Sequence, residues 1–162
     1  MLVYHGSIEV VDEPISDYSE RDDLDFGQGF YVTPTEEEAC VWANIKAAEY
    51  NSSPIVNVYE LDDSYDEDDG FLFFEDTDDT WFNFLDHCRS GNVTYLQERY
   101  PIVEGEVADD NGYEIFESYH NGNIDKGFAI EQLSDLDLGH QICFRTDEVI
   151  HRYLTSIRSY RI

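Results

Sequence analysis

Lysine is almost missing from this chain: Lys46 and Lys126 are the only two among 162 residues. With arginine included, nine basic residues stand against 37 acidic ones, a formal net charge of −28. Binding to phosphate backbones gains most of its free energy from counterions released by clustered Lys and Arg, and those clusters are lacking. A surface of this sign also repels anionic membranes. Direct nucleic-acid binding and membrane-surface binding are therefore excluded as expectations. Cysteine is scarce too. Cys40, Cys88 and Cys143 are odd in number and widely spaced, with no Cys-x-x-Cys pair and no histidine at ligand spacing. That pattern predicts buried thiols and disfavours structural zinc; no metal is expected. No apolar run of 18 residues occurs, so no membrane span is expected. The opening Met1-Leu2-Val3-Tyr4 is strand-like and lacks the charged and apolar regions of a signal peptide. The expected location is a reducing cytoplasm.

Apolar material is plentiful. Hydrophobic residues make up 41% of the chain and aromatics 15%, including twelve Tyr and ten Phe. One domain spanning residues 1–162 can bury a core of this kind without disulfides. The acidic excess has three readings: a solvated surface suited to solubility or high salt, a DNA mimic that occupies basic proteins, and a docking face for a basic partner.

Two segments stand out: Val3-Tyr4-His5-Gly6-Ser7, and Asp25-Phe26-Gly27-Gln28-Gly29-Phe30-Tyr31-Val32-Thr33. Each sets a ring, His5 or Tyr31, at a strand position beside glycines. Glycine lets a flat ligand approach the backbone closely, so the pair suggests a nucleotide pocket.

Around these segments the pattern predicts a strand at the start, an acidic surface connector over 11–25, and a second strand over 28–33. Thr33-Pro34-Thr35-Glu36 predicts a helix start, with Thr33 as cap and Glu36 completing a capping box. That helix runs to about Tyr50, with Val41, Trp42, Ile45 and Ala48 on its buried face; Trp42 can be core or pocket wall. Further strands are expected over 55–61, 71–74, 102–108 and 141–144, with a loop over 62–69. A helix over 77–90 should turn Trp81, Phe82, Leu85 and Cys88 inward and stop at Gly91. Residues 113–120 read as helix or strand, 127–134 as helix, and Thr146 caps a last helix carrying Val149, Ile150, Tyr153 and Leu154. Strands and helices mix without a regular βαβ alternation, which is an α+β pattern.

In order, Tyr4-His5-Gly6-Ser7, Phe26-Gly27-Gln28-Gly29-Phe30-Tyr31-Val32-Thr33, the helix with Trp42-Ala43, Trp81 followed by Arg89, Gly105-Glu106-Val107-Ala108-Asp109-Asp110, and Gln141-Ile142-Cys143-Phe144 resemble the DUF3990 family of bacteria and phages. That family is similar to the ADP-ribosyltransferase superfamily, and the likeness runs from Tyr4 to about Leu154. The resemblance implies split antiparallel β-sheets forming a sandwich core with flanking helices, and NAD as substrate. It implies that His5 binds a ribose hydroxyl and the nicotinamide carboxamide, and that Gly6 offers backbone groups to that amide. Tyr31 would stack on nicotinamide, with Phe30 or another aromatic on the other side. Ser7, Gly27 and Gly29 would line the same pocket. Gln141 falls where the superfamily often has Glu.

Cleaving the nicotinamide–ribose bond leaves an oxocarbenium-like centre, so the departing ring must be held and the growing positive charge supported. Gln141 can hydrogen-bond a ribose hydroxyl but brings no charge. Loss of such a charged contact costs about 2–4 kcal/mol, roughly 10²–10³ in rate. Asp109 or Asp110 can replace it, although Asn111-Gly112 directly after them also fits a plain turn. A pyrophosphate anchor is needed among few arginines; Arg21, Arg89 and Arg145 are the candidates, with Arg89 favoured by the family pattern. The expected activity is transfer of ADP-ribose to a macromolecular target, in a toxin-like or effector-like setting. The alternative is a catalytically silent acidic module, docking a basic protein or mimicking DNA.

Overall fold

The computed structural model describes residues 1–19, 21, 23–91 and 99–162; positions 20 and 22 of the acidic connector lie outside the described residues. β1 (Leu2–Ser7), β3 (Ile55–Leu61) and β7 (Leu154–Arg161) form an antiparallel sheet of order β1-β3-β7. The second sheet, of order β2-β6-β5-β4, contains β2 (Phe30–Val32), β4 (Phe71–Phe73), β5 (Ile102–Val107) and β6 (Gly139–Phe144). The pairing of β4 with β5 is parallel, unlike the wholly antiparallel sheets expected. A parallel neighbour requires a crossover, and α2 (Asp79–Arg89) lies in that connection.

β7 has no counterpart in the sequence reading, which ended on the last helix. Its register steps from Arg158 opposite Val58 to Ser156 opposite Tyr59, leaving Ile157 as a bulge. The bulge breaks the alternation from which a strand is recognised.

The two sheets enclose one core, with Val3 and Tyr59 from the first facing Phe30, Ile102, Ile142 and Phe144 from the second. On the outer face of the second sheet, α2, α3 (Tyr113–His120) and α4 (Lys126–Ser134) cover Val103, Val107 and Cys143. Here the expectations hold well. Trp81, Phe82, Leu85 and Cys88 are buried, Asp78 accepts a hydrogen bond from the Trp81 amide at 3.0 Å, and Gly91 ends the helix at φ +72°. Each large apolar side chain buried in this way contributes roughly 1.5–3 kcal/mol. Residues 113–120, left open between helix and strand, are helical. The last helix, α5 (Asp147–Tyr153), is capped by the Thr146 hydroxyl as expected.

The outer face of the first sheet is covered by α1 (Glu36–Tyr50), and here the expectations need correction. Its buried residues are Ala39, Ala43 and Ala47, whereas Val41 and Ile45 are 57% and 49% exposed. The cause is Gly6. A Cβ there would run into the Ala39 carbonyl and lie 2.7 Å from the Ala43 amide, so the helix backbone rests directly on β1 and tolerates only small side chains. The cap also sits two residues later than expected, at Thr35, with no side-chain hydrogen bond. Thr33 instead accepts from the Thr35 amide at 3.1 Å and donates to Glu38 at 2.7 Å, while Glu36 receives the Tyr160 hydroxyl.

Cys88 and Cys143 are buried, and burial pushes both thiols up to about 12; Cys40 is only partly buried, against expectation. Among the described residues no helix is long and apolar enough to cross a membrane.

Candidate functional site

Where the two sheets meet, strand pairing shrinks to a single bridge. Tyr4 and Thr33 exchange both amide–carbonyl bonds at 2.8 Å, and beyond them β1 and β2 part. One residue further, the His5 Nδ1 lies 2.7 Å from the Tyr31 carbonyl. A carbonyl only accepts, so Nδ1 carries the hydrogen and Nε2 is left as an acceptor. His5 is 7% exposed, and its Nε2 is buried with no partner among the described residues. Burial first, then the Lys46 charge, pulls the imidazole down to about 3, against the Tyr31 hydrogen bond. The ring is therefore a neutral acceptor across the ordinary pH range.

His5 and Tyr31 meet through backbone, not ring to ring. The imidazole centre lies 4.5 Å from that of the Phe30 ring and 5.2 Å from that of Tyr18, which it meets edge-on. Phe30 and Tyr31 are consecutive on a strand and point to opposite faces. Tyr31 turns to the outer side, stacks on Phe26, donates its hydroxyl to the Gly27 carbonyl at 2.6 Å and accepts from the Phe26 amide at 3.1 Å. Burial, Cys143 and Asp25 hold that phenol well above its usual range. The expected clasp of the two rings around one ligand is not formed, and Phe30, fully buried, is committed to the core.

The other expected pocket residues have local duties. Gly27 provides the turn at φ +77°, and a Cβ on Gly29 would lie 2.8 Å from the Phe144 carbonyl. The buried Ser7 hydroxyl shares a 2.8 Å hydrogen bond with Tyr18, which also donates to Glu9 at 2.9 Å. The Gly6 carbonyl accepts from Lys46 Nζ at 3.0 Å. Gln141, 8% exposed, falls on the same face of β6 as Cys143, which is paired with Tyr31. Its side chain makes no hydrogen bond among the described residues.

Arg89 does not present a free phosphate anchor. Its guanidinium pairs through Nε with Asp25, donates through NH2 to the Asp109 carbonyl, and lies 4.4 Å over the Phe116 ring. Arg21 is exposed and pairs with Asp23 and Asp110, while Arg145 donates to the Tyr100 carbonyl at 3.2 Å beside Phe84. Asp25 is the residue that sequence reasoning missed. Only 2% exposed, its carboxylate accepts from the Ala108 and Asp109 amides at 2.6 and 2.9 Å as well as from Arg89. The available signal was an acid opening a glycine-and-aromatic segment that otherwise reads as buried. Asp25 and Arg89 together clamp Asp109, which sits at φ +52° at the start of a short 3₁₀ turn.

A family model described as "Protein of unknown function (DUF3990)" matches residues 1–155, a span that takes in the whole seam. The chain belongs to the DUF3990 family. No curated protein and no solved structure matches it.

In this DUF3990 chain the outer side of the seam gathers charge. Burial raises Asp109 to about 7, reinforced by Asp25, Asp110 and Glu38 and opposed by Arg89. Lys46 is pulled down by burial against the fields of Glu9 and Asp109, and Glu38 accepts from the His140 amide at 3.4 Å. Two surface hollows, one of about 300 Å³ around Pro101 and Tyr153 and one of about 330 Å³ around Phe74 and Phe84, lie away from the seam. Among the described residues no group of three or more His, Cys, Asp or Glu could hold a metal ion. Chemically the seam offers a neutral imidazole acceptor, an uncharged amide at Gln141, a carboxyl that titrates near neutrality and one amine.

Proposed function

We propose that this DUF3990 protein binds NAD and transfers ADP-ribose to a macromolecular target, as a cytoplasmic effector of the toxin type. The observation that carries this reading is the unpartnered Nε2 of His5. Leaving a buried acceptor unsatisfied costs about 1–3 kcal/mol. A ribose hydroxyl is a donor of the right size to relieve that cost, and the Tyr31 carbonyl already fixes the tautomer that accepts it. Gln141 is suited to hydrogen-bond a second ribose hydroxyl, on the carbon next to the reacting one.

The test is incubation of the purified chain with labelled NAD and a cell lysate, beside His5→Ala and Tyr31→Ala, with circular dichroism to confirm folding. Label transfer by the wild type and its loss in folded His5→Ala are expected, while Tyr31→Ala, which keeps the carbonyl that orients His5, tests whether the outward ring takes part. Absence of both label transfer and nicotinamide release from the wild type would overturn the transferase. The lack of charge at Gln141 favours a second reading, a silent acidic module that docks a basic protein. That reading predicts no nicotinamide release, even if NAD binds.

A further inference from the structure

We propose that Lys46 is the phosphate anchor of the seam: its ammonium takes an anionic phosphate group, in NAD the pyrophosphate, as the counter-ion that the chain itself does not give it. The assignment to NAD rests on the reading above; the anion site does not. Lys46 reaches from α1 to β1 and donates one of its three N–H groups to the Gly6 carbonyl at 3.0 Å. In an antiparallel ladder the backbone groups of alternate residues point to the same side. Tyr4 spends its amide and carbonyl on Thr33, so those of Gly6 point the same way, into the gap that opens where β1 and β2 part. From the residue between, His5 crosses that gap through its 2.7 Å bond to the Tyr31 carbonyl. Lys46 Nζ and the imidazole are therefore held at one opening by consecutive residues of β1.

Charge makes the position unusual. The chain has 37 acidic residues, yet none of the described ones forms an ion pair with Lys46. Arg89, by contrast, is given Asp25, and Arg21 is given Asp23 and Asp110. Glu9, whose field reaches Lys46, accepts from the Tyr18 hydroxyl instead. Taking an ammonium even partly out of water is costly unless a counter-ion stands against it. The Gly6 carbonyl returns some of that cost and leaves two N–H groups unused. A phosphate oxygen supplies the missing negative charge and accepts a short, charge-assisted bond. The arginines expected to do this are engaged elsewhere, Arg89 with Asp25 and the Asp109 carbonyl, and Arg145 with the Tyr100 carbonyl.

With only two lysines in the chain the test is direct. Lysine labelled with carbon-13 at Cε gives one NMR signal for Lys46 and one for Lys126, assigned with Lys126→Arg. Inorganic pyrophosphate and then NAD are titrated in moderate salt, which screens the acidic surface. The expected result is a saturable shift of the Lys46 signal with each, while that of Lys126 stays in place. Calorimetry then compares the wild type with Lys46→Met, which keeps the aliphatic stem. Pyrophosphate and NAD should bind the folded variant roughly 10-fold more weakly or worse, and nicotinamide riboside, which has no phosphate, at least as tightly as before. Equal drift of both lysine signals, or pyrophosphate and NAD bound as well by Lys46→Met as by the wild type, would overturn the anchor. Parallel losses of NAD and riboside affinity would overturn it too, because they mark Lys46 as a prop for Gly6. NAD bound with the Lys46 signal unmoved would leave the NAD reading standing without the anchor. Pyrophosphate bound at Lys46 by a chain that takes no NAD would uphold the anion site and remove the NAD reading.

Discussion

Helices α1 and α2 each cover the outer face of one sheet and pack by opposite rules. α2 presses Trp81, Phe82 and Leu85 into the outer face of the second sheet, and Trp81 Nε1 donates to the Glu106 carbonyl at 2.8 Å. α1 rests on the first sheet through Ala39, Ala43 and Ala47, and leaves Val41 and Ile45 in solvent. The difference lies in the strand beneath as well as in the helix, which has an alanine row in α1 and an aromatic face in α2. Val103 and Val107 hold α2 at side-chain distance, whereas Gly6 lets the α1 backbone descend onto β1. Periodicity identifies a helix, but the partner surface decides which face is buried.

Three tests sharpen the contrast. Trp81→Ala has the largest expected effect, a loss of about 3–5 kcal/mol from a large buried cavity and an orphaned carbonyl. Thermal or urea unfolding reads it, at about 2–4 °C per kcal/mol for a chain of this size. Gly6→Ala comes second, destabilising by about 1–3 kcal/mol because the added methyl meets helix backbone that cannot rotate away. A wild-type melting temperature for Gly6→Ala would show that α1 does not sit so close. Smallest is the pair Val41→Ser and Ile45→Gln, expected within about 0.5 kcal/mol of wild type. A loss of 2 kcal/mol or more there would restore the buried face that the sequence pattern predicts.

The short strands, the Thr146 cap and the aromatic face of α2 were all legible, because each is a local rule obeyed by neighbouring residues. β7 was not, since the Ile157 bulge removes its period, and the α1 face was not, since it depends on a glycine more than thirty positions away. The site divides in the same way. His5 and Tyr31 meet through a backbone hydrogen bond and Gln141 falls on the face of β6 shared with Cys143, but alternation along β2 separates the two rings that were expected to converge. Asp25 and Arg89 find each other only across sequence-distant elements, so neither spacing nor composition could reveal that Arg89 is already neutralised.

The Tyr4–Thr33 bridge gives this corner an unusual mechanical character. Two main-chain bonds fasten one sheet to the other there, each worth roughly 0.5–1.5 kcal/mol net, whereas β1 and β3 are zipped along six successive pairs. A wedge entering the corner would part the joint before disturbing either ladder, so the weakest stitch in the fabric lies beside the atom most in want of company.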